Sequence, residues 1–318
     1  MKKLLCTAAA VFLGLSMSLA ASAKDYGTVT VLGDSIATGY GLAGYTAGDN
    51  YSPAGSFGSL ISKDCSGYTN LAKDGATSAD LLARLDSEDA LTAVSKADSV
   101  IISIGGNDFL VPMMTAVTGA VTDNPELLAA IMGGNITEEI IQQVMGSLVS
   151  AAQSVDISKT GENLNGIIGK IRKANPDCNI YILTVYDPFE NVAGMEAIDM
   201  AAKDRLPQLN AAISSAAKNG GAEVIDVYNK FTGHAMEYTN IGIMDIHPNA
   251  AGHEVIYSLL SNAVKGVSGS VTEPDNTAKD PIPDNGSDNP GTGAVAFVGA
   301  GALAAAVLVV SRRKTDNL

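Results

Sequence analysis

Five short runs rich in Val and Ile punctuate the middle of the chain, at residues 28–32, 68–72, 99–104, 179–185 and 222–227. They are apolar rather than alternating with polar residues. A strand covered on one face alternates, whereas a strand covered on both does not, so the runs suit a parallel sheet sandwiched between helices. The intervening sequence agrees, because apolar residues recur at helical spacing over 78–85, 164–171 and 254–264. Strand alternating with helix predicts a three-layer α/β/α fold, with ligands bound beyond the carboxyl ends of the strands. Residues 108–179 exceed what a single crossover helix needs and predict a helical insertion after the third strand.

Both ends of the chain differ from this middle. Residues 1–23 read as a signal peptide: Lys2 and Lys3, an apolar stretch, then the small-residue site Ala21-Ser22-Ala23. Residues 294–311 carry no charge and are closed by Arg312, Arg313 and Lys314, which is long enough for a membrane-spanning segment. Residues 268–292 hold four prolines and the acidic residues Glu273, Asp275, Asp280, Asp284 and Asp288, a composition that predicts a disordered linker. The folded part is therefore expected over residues 24–267. The chain has 20 Lys and Arg against 34 Asp and Glu, a net charge of -14. Nucleic-acid partners are excluded, because phosphate backbones are bound through clustered basic residues and none occurs before the C-terminus.

Polar motifs follow the apolar runs where the fold places ligands. Gly33-Asp34-Ser35 follows the first, Asp74-Gly75 the second and Gly106-Asn107-Asp108 the third, and Asp245-Ile246-His247-Pro248 lies near the end of the folded part. A serine hydroxyl is a poor nucleophile at neutral pH, so acyl transfer needs a base within hydrogen-bond reach and donors aimed at the developing oxyanion. In this order the four motifs resemble those of the SGNH hydrolase superfamily, also called GDSL esterases and lipases, over essentially all of residues 24–267. The resemblance implies a flavodoxin-like fold with a five-stranded parallel sheet of order 2-1-3-4-5. It also implies Ser35 as nucleophile, His247 as general base, and an oxyanion hole formed by the Ser35 and Gly75 N–H groups with the Asn107 amide. Asn289-Pro290-Gly291-Thr292-Gly293, followed by the apolar stretch and basic tail, resembles a sortase cell-wall sorting signal over residues 289–318. That implies sortase and peptidoglycan as partners and anchorage to the wall or membrane on the outer surface of a Gram-positive-type bacterium.

One departure stands out. The family's last motif is D-x-x-H, but Met244 occupies the Asp position and Asp245 lies one residue closer to His247. Either Asp245 orients the imidazole from the shifted position, or a backbone carbonyl does so and the site is a Ser-His dyad. Asp34 and Asp108 read as scaffold carboxylates, and His253 as a packing or capping residue, since its spacing from His247 matches no metal motif. His234 has no assigned role. No metal or cofactor motif is present. Cys65 and Cys178 precede the second and fourth strands, which the implied sheet order separates by roughly 14 Å, so they are expected as free thiols.

The substrate signals are coarser. The insertion is largely apolar and contains Met113, Met114, Met132 and Met145, a composition suited to an acyl-chain wall as well as to a structural subdomain. Residues 186–189 are expected to line the same cleft. An extracellular esterase or lipase acting on acyl esters is the favoured function, with a carbohydrate O-acetylesterase acting on polysaccharide or cell-wall glycans as the alternative. A non-catalytic surface-binding module is the third.

Overall fold

The computed structural model describes residues 26–266 apart from 47–51, 134 and 136. The signal peptide, linker and sorting-signal segments therefore lie outside the described residues. Within the described residues the chain begins with β1 (Thr28–Gly33), α1 (Ser35–Thr38), α2 (Phe57–Ile61) and β2 (Gly67–Asn70). It continues through α3 (Ser78–Arg84), α4 (Glu88–Ser95) and β3 (Ser99–Ser103) to four successive helices, α5 (Gly106–Thr122), α6 (Pro125–Met132), α7 (Glu138–Gln153) and α8 (Ile157–Ala174). The last part comprises β4 (Asn179–Leu183), α9 (Glu196–Gly220), β5 (Glu223–Ile225), α10 (Val227–Phe231), α11 (Ala235–Tyr238), a 3-10 turn (Ile241–Ile243) and α12 (Ala250–Lys265). The sheet is parallel throughout, in the order β2-β1-β3-β4-β5. Sheet order and inserted helices are thus those expected.

The uniformly apolar strands serve two cores, because successive side chains leave a strand on opposite faces. Val100, Ile102, Ile180 and Ile182 join the core beneath α3, α4, α5, α7, α8 and α9. Ile101, Tyr181, Leu183 and Val31 join the other, beneath α2, α10, α11 and α12. Strands β2, β4 and β5 each stop two residues short of their apolar runs because polar side chains capture the backbone first. The Asn70 carboxamide accepts the Ala72 N–H at 3.0 Å, Asn210 brackets Val185, and Asp226 caps α10. Helices α8 and α12 run past the periodic segments that announced them, and Asn249 fixes the start of α12 by accepting the Gly252 N–H at 3.0 Å.

Cys65 and Cys178 are not disulfide-linked, as the separation of β2 and β4 requires. Among the described residues no helix is long and apolar enough to cross a membrane; residues 294–311 are not among them.

Candidate active site

Ser35 owes its place to a strand-to-helix turn made by its neighbours. Gly33 ends β1 at φ 151°, and a Cβ there would lie 2.1 Å from the Ser103 carbonyl oxygen, so only glycine lets the two strand ends run this close. The Asp34 N–H donates to that carbonyl at 3.0 Å, and the Asp34 carboxylate caps α1 by accepting the Ile36 N–H at 3.1 Å. Gly39 closes the helix in the left-handed region. Asp34 is a scaffold residue, as expected, and it is 2% exposed. That burial pushes its carboxyl up to about 7 against the opposing Ile36 N–H and the nearby His247.

His247 approaches from an irregular loop that leads into α12. Its Nε2 lies 2.8 Å from Ser35 Oγ and its Nδ1 2.5 Å from Asp245 Oδ1. A carboxylate only accepts, so Nδ1 carries the proton and Nε2 is left to receive the serine hydroxyl proton. The short Asp-x-His spacing works because Asp245 Oδ1 also accepts the backbone N–H of His247 at 3.1 Å, folding the carboxylate back over its own chain. Met244 enters this turn at φ 65°, a left-handed conformation uncommon for a side-chain-bearing residue. Of the two acceptors left open by the sequence, the one that faces Nδ1 is the Asp245 carboxylate. Burial alone would raise the Asp245 carboxyl. The hydrogen bond and charge of His247, its backbone N–H and the Asn240 amide outweigh that and hold it below the ordinary carboxylate value.

The three expected oxyanion donors lie on three different strand ends. Neither the Ser35 nor the Gly75 N–H has a partner among the described residues. Gly75 adopts φ 73°, and a Cβ built on it would meet nothing within 4 Å, so the position faces open space. The Asn107 amide donates one hydrogen to the Ala76 carbonyl at 3.0 Å, which ties α5 to the Gly75 turn and leaves its second N–H. Asp108 is a scaffold, accepting the Ser78 N–H at 2.8 Å and the Thr160 hydroxyl at 3.2 Å, and so joins α3, α5 and α8.

Several neighbours carried no recognisable sequence signal. The Tyr40 ring packs against the His247 imidazole with centroids 4.6 Å apart. Burial, then the Asp245 and Asp74 charges, push its phenol up to about 12. A Cβ on Gly41 would lie 2.8 Å from Asp245 Oδ2. Asp74 accepts the Thr38 hydroxyl at 2.6 Å and also the Tyr45 hydroxyl, bracing the residue before Gly75 against α1. Two glycines flanking Tyr40 were the only hint that the backbone there passes close to something.

One expectation is corrected. Tyr186, Asp187 and Phe189 are buried, at 6%, 8% and 4% exposure, and do not line an open cleft. The run's apolarity reflects core packing beneath the site. Of the four methionines singled out in the insertion, Met113 and Met145 are core residues at 2% and 8% exposure, while Met132 is 81% exposed. His253 is fully buried and packs as expected, its Nδ1 accepting the Phe57 N–H at 3.3 Å. Burial, then the nearby His247, holds its imidazole down to about 3. His234 pairs with Glu237 on the surface. Among the described residues no group of three or more His, Cys, Asp or Glu side chains is arranged to hold a metal ion.

Residues 31–255 match the GDSL-like lipase/acylhydrolase family model. Solved structures share the fold. The extracellular lipase of Streptomyces rimosus is 23% identical with a TM-score of 0.57, the match covering 74% of this chain and 99% of that one. Phospholipase A1 of Streptomyces albidoflavus NA297 is 23% identical with a TM-score of 0.55, covering 76% and 99%. No curated protein matches the sequence.

Proposed function

We propose that this chain, which belongs to the GDSL-like lipase/acylhydrolase family, is a serine esterase that hydrolyses carboxylic acyl esters through an acyl-enzyme. The observation that carries the reading is the unbroken chain from Ser35 Oγ to His247 Nε2 at 2.8 Å and from His247 Nδ1 to Asp245 at 2.5 Å. Ser35 Oγ attacks the ester carbonyl carbon while its proton passes to His247 Nε2. The carbonyl oxygen gains a negative charge beside the Ser35 and Gly75 N–H groups and the Asn107 amide. Collapse expels the alcohol with the proton from His247, and water repeats the sequence on the acyl-enzyme, releasing the acid and restoring Ser35. Asp245 keeps the imidazole in the required tautomer and stabilises it when charged.

A longer acyl group over acetate is supported by the face of α5 that begins at Asn107. Val111, one turn on and 43% exposed, and the partly exposed Leu110 and Met114 continue that face away from the oxyanion donor. An acyl chain leaving the carbonyl along α5 covers apolar surface, whereas an acetyl group does not reach it. The experiment is fluorophosphonate labelling with and without Ser35→Ala, joined to turnover of p-nitrophenyl esters of rising chain length, acetylated xylan and acetylated peptidoglycan. Labelling that depends on Ser35, with a preference for C4 or longer, is expected. Acetate released from the glycans alone would replace this reading with the O-acetylesterase, and the absence of labelling would leave a binding module.

The same proposal places the enzyme outside the cell, exported by residues 1–23 and held by the signal in 289–318, on the sequence features already given. Cell fractionation and the mass of the mature chain test it; a cytosolic chain that retains its first residues would end it.

A further inference from the structure

The Asp-x-His turn has to hold its carboxylate against an imidazole with one residue fewer than the family pattern supplies. The peptide plane between Ile246 and His247 is central to this. At one end its N–H donates to Asp245 Oδ1 at 3.1 Å, and at the other its carbonyl accepts the Tyr186 hydroxyl at 2.7 Å. Rotating that plane would withdraw the N–H from Asp245 and turn the carboxylate away from Nδ1. Tyr186 therefore pins the far end of the unit on which the His–Asp contact depends.

Tyr186 is well placed to act as a fixed point. The Val185 backbone immediately before it is gripped at both ends by the Asn210 carboxamide of α9, which accepts the Val185 N–H at 2.8 Å and donates to the Val185 carbonyl at 2.9 Å. Its ring packs on Phe231 of α10 with centroids 4.7 Å apart, and Phe231 packs on Tyr238 of α11 at 5.3 Å. Burial, then the Asp34 and Asp245 charges, raise the Tyr186 phenol well above its ordinary value, so the hydroxyl stays a donor. A buried phenol usually finds a partner. Here the partner is the carbonyl of Ile246, the residue between Asp245 and His247.

We infer that Tyr186 is a positioning residue for the reaction, acting through the Ile246–His247 peptide to align Asp245 with His247. The inference rests on the esterase reading and concerns how that site is held. Tyr186→Phe keeps the ring and its packing and removes only the hydroxyl. The expected result is a fall in kcat of about tenfold, the size of one lost buried hydrogen bond, with KM changed less than about twofold. In an Asp245→Asn background the same change should cost almost nothing further, because the alignment it serves has already gone. Wild-type kcat in Tyr186→Phe, or losses that multiply in the double variant, overturns the inference.

A second measurement is independent of ester turnover. The low-field proton resonance of the His247 Nδ1–H facing Asp245 should shift or broaden in Tyr186→Phe, and an unmoved resonance overturns the inference. If the wild type shows that resonance but hydrolyses no ester, the function reading fails while the positioning role is still tested. If Tyr186→Phe does not fold, a ring-fluorinated tyrosine at 186 keeps the ring and alters the strength of the donor. The resonance should then move, and an unchanged resonance again overturns the proposal.

Discussion

The turn that carries Ser35 is built from its own neighbours and the ends of the two flanking strands, whereas the turn that carries His247 is held largely by distant residues outside the strands. At the serine end, Gly33, Asp34 and Gly39 lie within four residues of the nucleophile, and the outside contacts come from the two flanking strand ends: the Ser103 carbonyl of β3, the Lys73 N–H beyond β2, which donates to the Gly33 carbonyl at 3.0 Å, and the Asn70 amide, which donates to the Ala37 carbonyl at 2.9 Å. At the histidine end Gly41, Tyr40 and Tyr186 come from far along the chain, and Asn240 lies five residues before Asp245. Asn240 alone donates its N–H to the His247 carbonyl at 2.9 Å, accepts the Asp245 N–H at 3.3 Å and reaches the Gly41 carbonyl with its amide at 3.3 Å. The lesson concerns vulnerability. A turn assembled locally fails with the fold, because its parts are also strand ends and helix caps. A turn assembled from distant contacts can lose its alignment while the sheet and helices stand.

That contrast sets the expected order of damage. Asp245→Asn removes the orienting charge at the histidine end and should lower kcat by roughly 1,000- to 10,000-fold with little change in thermal midpoint. Near-wild-type turnover would show that Asp245 contributes nothing and that an acceptor other than the carboxylate suffices. Gly41→Ala places a methyl group 2.8 Å from Asp245 Oδ2 at a backbone φ of 87°. Displacing the carboxylate by a fraction of an ångström or more should cost on the order of 100-fold in kcat. Gly33→Ala tests the other end, where the new Cβ would meet the β3 backbone 2.1 Å away. It should destabilise the domain by about 1–3 kcal/mol in a denaturant titration. If Gly41→Ala unfolds the protein as readily as Gly33→Ala does, the distinction between the two ends is wrong.

The remaining test concerns pH dependence. The Asp34 carboxyl is raised from 3.8 to about 7 by burial in the folded chain. Between those values the folded state holds a proton that the unfolded state has released. The stabilising contribution is therefore complete below about pH 4 and is lost as pH rises towards 7, by at most about 4 kcal/mol. Asp34→Asn should flatten that slope in denaturant titrations at pH 4 to 7. An unchanged slope would show that Asp34 is ionised throughout.

The parts of the site legible in the sequence are those whose geometry is local. The Val and Ile runs announce covered strands, and Gly33-Asp34-Ser35 marks the segment just beyond the first of them, because each depends on residues a few positions apart. Asp245 remained one of two options, since its use depends on the left-handed Met244 and on a carboxylate that caps the N–H two residues on. Tyr186 follows the apolar run at 179–185 and reads as cleft lining rather than as the buried residue it is, because strand periodicity says nothing about a side chain beyond the strand's end. Tyr40 and Gly41 give no usable signal, being ordinary residues until the fold brings them to the His247 loop, and Asn210 gives none because its role is to grip the Val185 backbone.

Periodicity in the sequence thus pointed to a parallel α/β sheet, and the resemblance of its motifs implied the serine turn and the histidine loop. Only the tertiary structure decided that the Asp245 carboxylate, rather than a backbone carbonyl, faces His247, and that Tyr186 lies beneath the site. The physical reason is range. Strand, cap and turn preferences act over about four residues. The contact between Ser35 and His247 instead joins groups 212 positions apart, and its 2.8 Å length is set by the whole sheet between them.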